Sequence, residues 1–177
     1  MVRRILFGRG PLLSMTDRQE TQIETIVVLP LALDLHWCDD EITSISPRFA
    51  DAVEQSVSFS AHAKEIESAL ERYINGQRPQ WPDLPLHMTD LTDFQRVTLD
   101  ATKAIPQGAT RTYGELAADI GSSGGAQAVG RVMATNPFPI IYPCHRVLGS
   151  NGKLVGFSAK DGLKMKQYLL RLEGALL

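Results

Sequence analysis

Long apolar runs are missing from this sequence of 177 residues. No stretch approaches the roughly 18 consecutive apolar residues that a membrane helix needs, so no membrane role is expected. The start, Met1 to Gly10, carries Arg3, Arg4 and Arg9 but only the short apolar patch Ile5 to Phe7. That patch is too weak for a secretory signal, and a cytoplasmic protein is expected. Cysteine is scarce too. Cys38 and Cys144 are the two in the chain, far too few for a four-thiolate zinc site and unlike a disulfide framework. His36 and Cys38 fall on one side of a predicted strand, but with only His62 and His87 in reach no metal site is expected, and no cofactor. Clear periodicity is also absent from the first 20 residues, where Gly8, Gly10 and Pro11 predict an irregular start.

What is present divides by charge. Residues 1–93 hold 8 Lys and Arg against 15 Asp and Glu, and residues 94–177 hold 10 against 5. The balances of −7 and +5 give the overall −2. A basic half beside an acidic one points to a polyanion docking on the C-terminal portion.

Pattern divides the chain in the same way. Leu31, Leu33 and Leu35 alternate with Ala32 and Asp34, which predicts a half-buried strand. A second strand is expected from Ile23 to Val28 and a third from Glu41 to Ser46, the latter entered through a turn at Cys38-Asp39-Asp40 and stopped by Pro47. Ile66, Ala69, Leu70, Tyr73 and Ile74 mark one face of a helix over Ala61 to Ile74, ended by Asn75-Gly76. Gln77 to His87, with Pro79, Pro82 and Pro85, reads as a linker against the surface. The fold expected is therefore α/β in the α+β sense. An N-terminal domain of antiparallel sheet and helix, with the linker at its end, covers residues 1–88. A mostly helical domain covers residues 89–177.

In that second part, Thr92-Asp93-Phe94-Gln95 and Thr112-Tyr113-Gly114-Glu115 are capping boxes, each opening a helix. A glycine turn after Gly121 leads to a further helix that ends before Asn136-Pro137, which is helix-turn-helix spacing. Asn151-Gly152 predicts a hairpin between Val147-Leu148 and Leu154-Val155. A last helix is expected from Leu163 to Leu172.

The chemistry gathers at Pro143-Cys144-His145-Arg146-Val147. Histidine beside a thiol is a candidate base, and Arg146 adds charge that favours thiolate. On an extended chain the two neighbours point to opposite faces, so His145 needs a bend to reach the sulfur. A lone cysteine in an apolar setting also reads as an inert core residue.

The ordered series decides between these. Phe94-Gln95, Ile105-Pro106-Gln107-Gly108, Thr112-Tyr113-Gly114-Glu115-Leu116-Ala117, Ala128-Val129-Gly130, Asn136-Pro137, the cysteine motif and Leu172-Glu173-Gly174 together resemble the O6-alkylguanine-DNA alkyltransferases. The resemblance runs from about Ala61 to Gly174 and is strongest from Phe94 onward. It implies a single-turnover repair protein that flips an alkylated base out of duplex DNA and moves the alkyl group to Cys144. O4-alkylthymine stays open as a second substrate. His145 would take the thiol proton through a water, Glu173 would orient His145, and Asn136 would hold the loop carrying Cys144. On the DNA side the resemblance implies Tyr113, Ala126, Gln127, Ala128, Arg131 and Arg146, with the second helix in the minor groove. Met133, Pro139, Tyr142, Val155, Gly156, Phe157, Ser158 and Ala159 would form the base pocket. Gln127 stands where the family usually has an arginine finger, and Arg131 lies one turn further on. The partner implied is double-stranded DNA carrying alkylated bases, bound by a monomer. A non-catalytic relative that binds such bases and recruits other repair factors is the alternative, but relatives of that kind typically have tryptophan in place of the cysteine. A regulator switched by alkylation would need a further domain or a metal-bound cysteine, and neither is read in this sequence.

Overall fold

In β2 (Leu31–Cys38) the alternation holds, with Leu31, Leu33, Leu35 and Trp37 all buried on one face. The computed structural model describes residues 21–157, 159 and 161–176; the expected irregular start and Ser158 lie outside the described residues. β2 is the centre of an antiparallel sheet, flanked by β1 (Thr21–Val28) and β3 (Glu41–Phe49). The turn between β2 and β3 is at Asp39 and Asp40, Cys38 itself being the last residue of the strand.

Pro47 does not stop the third strand, which runs on to Phe49. β3 is an edge strand, and its outward N–H groups find other partners: Ile45 donates to Pro137 O at 2.8 Å and Phe49 to an Asp161 carboxylate oxygen at 3.0 Å. Pro47, two residues from each, lies on that same outward side. Its missing N–H therefore breaks no ladder bond.

Helix α1 (Ala63–Ile74) buries Ile66, Ala69, Leu70 and Tyr73, the face that the period predicts. The proline-rich connector after it lies along the sheet edge, where Ile42 donates to Pro85 O at 2.8 Å and accepts from His87 N–H at 2.9 Å. Trp81, Leu84 and Leu86 pack from it onto the core.

Both capping boxes are formed. Thr92 opens α2 (Asp93–Lys103), and Thr112 opens α3 (Tyr113–Asp119). Glycines Gly121 and Gly124, with φ of +73° and +86°, make the turn into α4 (Ala126–Ala134). The helix-turn-helix is thus α3 and α4. Leu99 of α2, Leu116 of α3 and Val129 of α4 share one apolar cluster with Leu33, Ile42 and Leu70 of the N-terminal half.

The hairpin expectation needs correction. Asn151-Gly152 does reverse the chain, with Gly149 N–H on Lys153 O at 2.8 Å. But β5 (Val147–Leu148) pairs in parallel with β4 (Arg111–Thr112), and residues 154–155 form no strand. The Val155 carbonyl that a ladder would use instead accepts from Lys166 Nζ at 3.0 Å. Lys166 belongs to the last helix, α5 (Gly162–Leu172).

Candidate active site

Asn136 follows α4 and organises the loop that delivers the cysteine. Its Nδ2 donates to Tyr142 O at 2.8 Å, and its Oδ1 accepts from Phe138 N–H at 3.0 Å. Within this loop Ile140 has φ of +76°, a strained conformation for a β-branched residue. The Asn136 bonds, Tyr142 N–H on Phe138 O at 2.9 Å and the anchor from Ile45 to Pro137 O hold it there.

Pro143 then leads into a single 3-10 turn, Cys144–Arg146, which supplies the bend that an extended chain lacks. Cys144 is 3% exposed and His145 fully buried. His145 Nε2 lies 2.9 Å from Glu173 Oε1, just past the end of α5. Its Nδ1 is buried with no hydrogen-bond partner among the described residues. Since a carboxylate only accepts, Nε2 carries the proton and Nδ1 presents a lone pair.

Glu173 receives more than His145. Arg146 forks onto it, Nε to Oε2 at 2.9 Å and Nη2 to Oε1 at 2.8 Å, while Arg146 Nη1 donates to Ile105 O at 2.6 Å. Tyr73 from α1 donates its hydroxyl to Oε1 at 2.6 Å. Burial pushes the Glu173 carboxyl up, but hydrogen bonds from His145, Arg146 and Tyr73 together bring it down to about 2. Burial lowers His145, and Glu173 only partly opposes this. At neutral pH the pair is therefore a neutral imidazole against a carboxylate, and the hydrogen bonds from His145, Arg146 and Tyr73 hold Glu173 ionised. Gly108 closes this corner. With φ of +83° and a would-be Cβ 3.0 Å from Glu173 O, a side chain there would be strained and would press on the Glu173 backbone.

In front of the thiol is a cavity of about 50 Å³. Tyr113 and Gly130 of the helix-turn-helix, Met133 and Ala134 beside them, and Gly156 and Phe157 from the segment before α5 enclose it with Cys144. That volume suits a methyl-sized group; a whole purine does not fit. Tyr113 donates a hydrogen bond to Val155 O at 3.4 Å, so the helix pair and the pocket segment meet across the cavity mouth.

Of the expected site residues, His145 and Glu173 are hydrogen-bonded side chain to side chain, and Asn136 meets Cys144 at Tyr142 O, which accepts from both Asn136 Nδ2 and the Cys144 N–H. Met133, Gly156 and Phe157 line the cavity, but Pro139, Tyr142, Val155 and Ala159 do not. Pro139 and Tyr142 are buried in the strained loop, and Ala159 packs in the core. Gln127 and Arg131 are exposed one turn apart on α4, with Ala126 and Ala128 half-buried beside them. Arg146, expected at DNA, is instead turned inward, its guanidinium taken up by Glu173 and Ile105 O.

Two residues were not foreseen. Lys166 is fully buried, and its Nζ donates to Val147 O at 2.6 Å, Val155 O at 3.0 Å and Gly156 O at 3.2 Å. It ties the pocket segment to the strand that follows the cysteine motif. Burial brings it down to about 8. The other is Tyr73, whose hydroxyl lies 3.3 Å from His145 Nε2 as well as on Glu173. A lysine inside an apolar stripe and a tyrosine on a core face were the signals, but neither names its partner.

Residues 93–175 match the model of the family described as "6-O-methylguanine DNA methyltransferase, DNA binding domain". A methylated-DNA--protein-cysteine methyltransferase of Methanosarcina acetivorans is 45% identical over 112 residues, 63% of this chain and 69% of that protein. A DNA base-flipping protein of Thermus thermophilus is 38% identical over 116 residues, 66% of this chain and 76% of that protein. The crystal structure of Mycobacterium tuberculosis O6-methylguanine methyltransferase superposes with a TM-score of 0.68 at 32% identity, covering 88% of this chain and 94% of that one.

Proposed function

The chain belongs to the O6-methylguanine DNA methyltransferase family, and from that premise we propose that it repairs DNA by moving the alkyl group of O6-alkylguanine irreversibly onto Cys144. The carrying observation is that Cys144 opens onto a methyl-sized cavity walled by the helix-turn-helix, with His145 and Glu173 behind it. Duplex DNA docks on α3 and α4, and the damaged nucleotide leaves the stack to reach the thiol, at a cost of roughly a few kcal/mol. Gln127 or Arg131 fills the gap it leaves. The chain acts as a monomer in the cytoplasm, with residues 89–177 carrying the transfer. Among the described residues, no helix is long and apolar enough to cross a membrane.

The chemistry follows from the tautomer. His145 Nδ1 takes the Cys144 proton through a water, and the imidazolium is held by Glu173. The thiolate attacks the alkyl carbon. A C–S bond forms as the bond to O6 breaks, and the electron pair passes to the guanine, which takes up the proton. The product thioether has no group poised to cleave it, so each molecule reacts once.

The competing reading is binding without transfer, which the base-flipping name of the Thermus relative brings forward. A cysteine with a buried base and carboxylate favours transfer. The test is incubation with a duplex containing O6-methylguanine, followed by intact-protein and peptide mass analysis. One methyl per protein, on Cys144, is expected, and Cys144→Ser retains DNA binding without transfer. Turnover, or a methyl on Cys38, overturns the reading.

A further inference from the structure

The hydroxyl of Tyr73 has no packing task. Its ring is buried among core residues and lies 6.3 Å from the Trp81 ring, contacts that a phenylalanine would keep. The hydroxyl has reached from the N-terminal half into the His145–Glu173 pair, across 72 and 100 residues of sequence. We propose that Tyr73 is a positioning residue of the transfer centre, setting the proton affinity of His145 by drawing on the charge of Glu173 Oε1. This rests on the reading that His145 is the base for Cys144.

The direction of the hydroxyl proton is determined by distance. At 2.6 Å from Oε1 the phenol must donate, because two bare oxygens would repel. Toward His145 it then offers only a lone pair, at 3.3 Å, which suits a protonated Nε2. The Nδ1–H tautomer would set the Nε2 lone pair against two oxygens. Tyr73 thus reinforces the tautomer that leaves Nδ1 bare.

It also competes for Oε1 with His145. The donation at 2.6 Å is the shorter contact and the stronger one, so its main effect is to weaken the hold of Glu173 on an imidazolium. Burial first, then the Glu173 charge, keeps the Tyr73 phenol protonated far above neutral pH, so the donor does not switch off. The other titratable groups facing His145 are Glu173, Arg146 and Lys166 of the C-terminal half, with Cys144 adjacent in the chain. Tyr168 of α5 also acts on Tyr73.

The experiment is a donor series at position 73: Tyr73→Phe, wild type, and 3-fluorotyrosine, a stronger donor of nearly the same shape. Nitrogen-15 histidine NMR titration reads the His145 proton affinity without DNA, and single-turnover transfer from an O6-methylguanine duplex is measured against pH. In Tyr73→Phe the acid limb moves to higher pH, and the rate on that limb falls roughly three- to tenfold, the equivalent of one hydrogen bond. At high pH it regains the wild-type value. Fluorotyrosine moves the limb the other way. Trp81→Leu, which loosens the Tyr73 ring without touching the hydroxyl, loses stability and leaves the limb in place. A Tyr73→Phe profile that keeps its midpoint, or a rate lost equally at every pH, overturns the proposal. Wild-type protein that transfers nothing overturns the functional reading instead, and the NMR series then still decides the role of Tyr73.

Discussion

Glu173→Gln isolates the electrostatic centre of the site. Its side chain is fully buried and is contacted by Tyr73, His145 and Arg146. Held at about 2 against an ordinary 4.5, the carboxylate contributes roughly 3 kcal/mol to folding at neutral pH. The sign is that of a depressed acid. The contribution is complete above about 4.5, where the unfolded chain is also ionised, and is lost as pH falls through 2.

Glutamine keeps the shape but removes the charge, and its amide nitrogen sets a donor against Arg146 or His145. The buried Arg146 guanidinium then lacks its counter-charge, a loss of about 3–5 kcal/mol. For a domain with about 5–15 kcal/mol in total, that is a large part of its stability. Urea unfolding at a series of pH values measures it. At pH 7 the variant is weaker by at least about 3 kcal/mol. Between pH 5 and pH 3 the gap to wild type narrows by about 2 kcal/mol, because wild type gives up its contribution there while the variant has none to give. A deficit below about 1 kcal/mol at pH 7, or a gap that stays constant down to pH 3, refutes the reasoning.

Three other perturbations separate the remaining parts. Asn136→Ala strands the Phe138 N–H and leaves Tyr142 O with only the Cys144 N–H, costing about 1–3 kcal/mol in urea unfolding and slowing single-turnover transfer more than it weakens DNA affinity in a titration. Lys166→Met removes a group whose charged form is disfavoured in the fold: between about 8 and 10.5 the folded protein releases a proton that the unfolded chain keeps, so wild-type stability rises over that window and the variant's does not. Parallel unfolding curves for the two from pH 8 to 10 would contradict this. Gln127→Arg speeds transfer from duplex DNA while leaving transfer from the free O6-methylguanine base unchanged, since only the duplex needs the stack held open. If Gln127→Ala leaves the duplex rate at wild type while Arg131→Ala lowers it, Arg131 is the residue in the gap.

Elements announced by repetition were legible from the residues. The leucine alternation of β2, the apolar face of α1 and the capping boxes at Thr92 and Thr112 each state a local rule several times over, and each is formed. Pro47 misled because a proline stops a strand only when its missing N–H faces a partner, and which side faces out depends on the neighbouring strand. Asn151-Gly152 announced a turn correctly but not what pairs beyond it. Val155 O is taken by a lysine 11 residues on, a choice made by burial in three dimensions.

The same distinction runs through the site. Cys144, His145 and Glu173 were legible as positions because they sit inside short ordered motifs. The resemblance set Arg146 at DNA, but a motif does not say which acceptor takes a guanidinium, and only the fold shows that Glu173 claims it. Tyr73 is the harder case. Its period on α1 places the ring in the core correctly, and nothing in that period distinguishes a phenol from a phenyl. Its role depends on where the hydroxyl ends, beside a carboxylate 100 residues away. The proposed control of the His145 proton thus draws on both halves of the chain, and residues 89–177 separated from α1 would keep Cys144, His145 and Glu173 while losing the hydroxyl that Tyr73 places on Glu173.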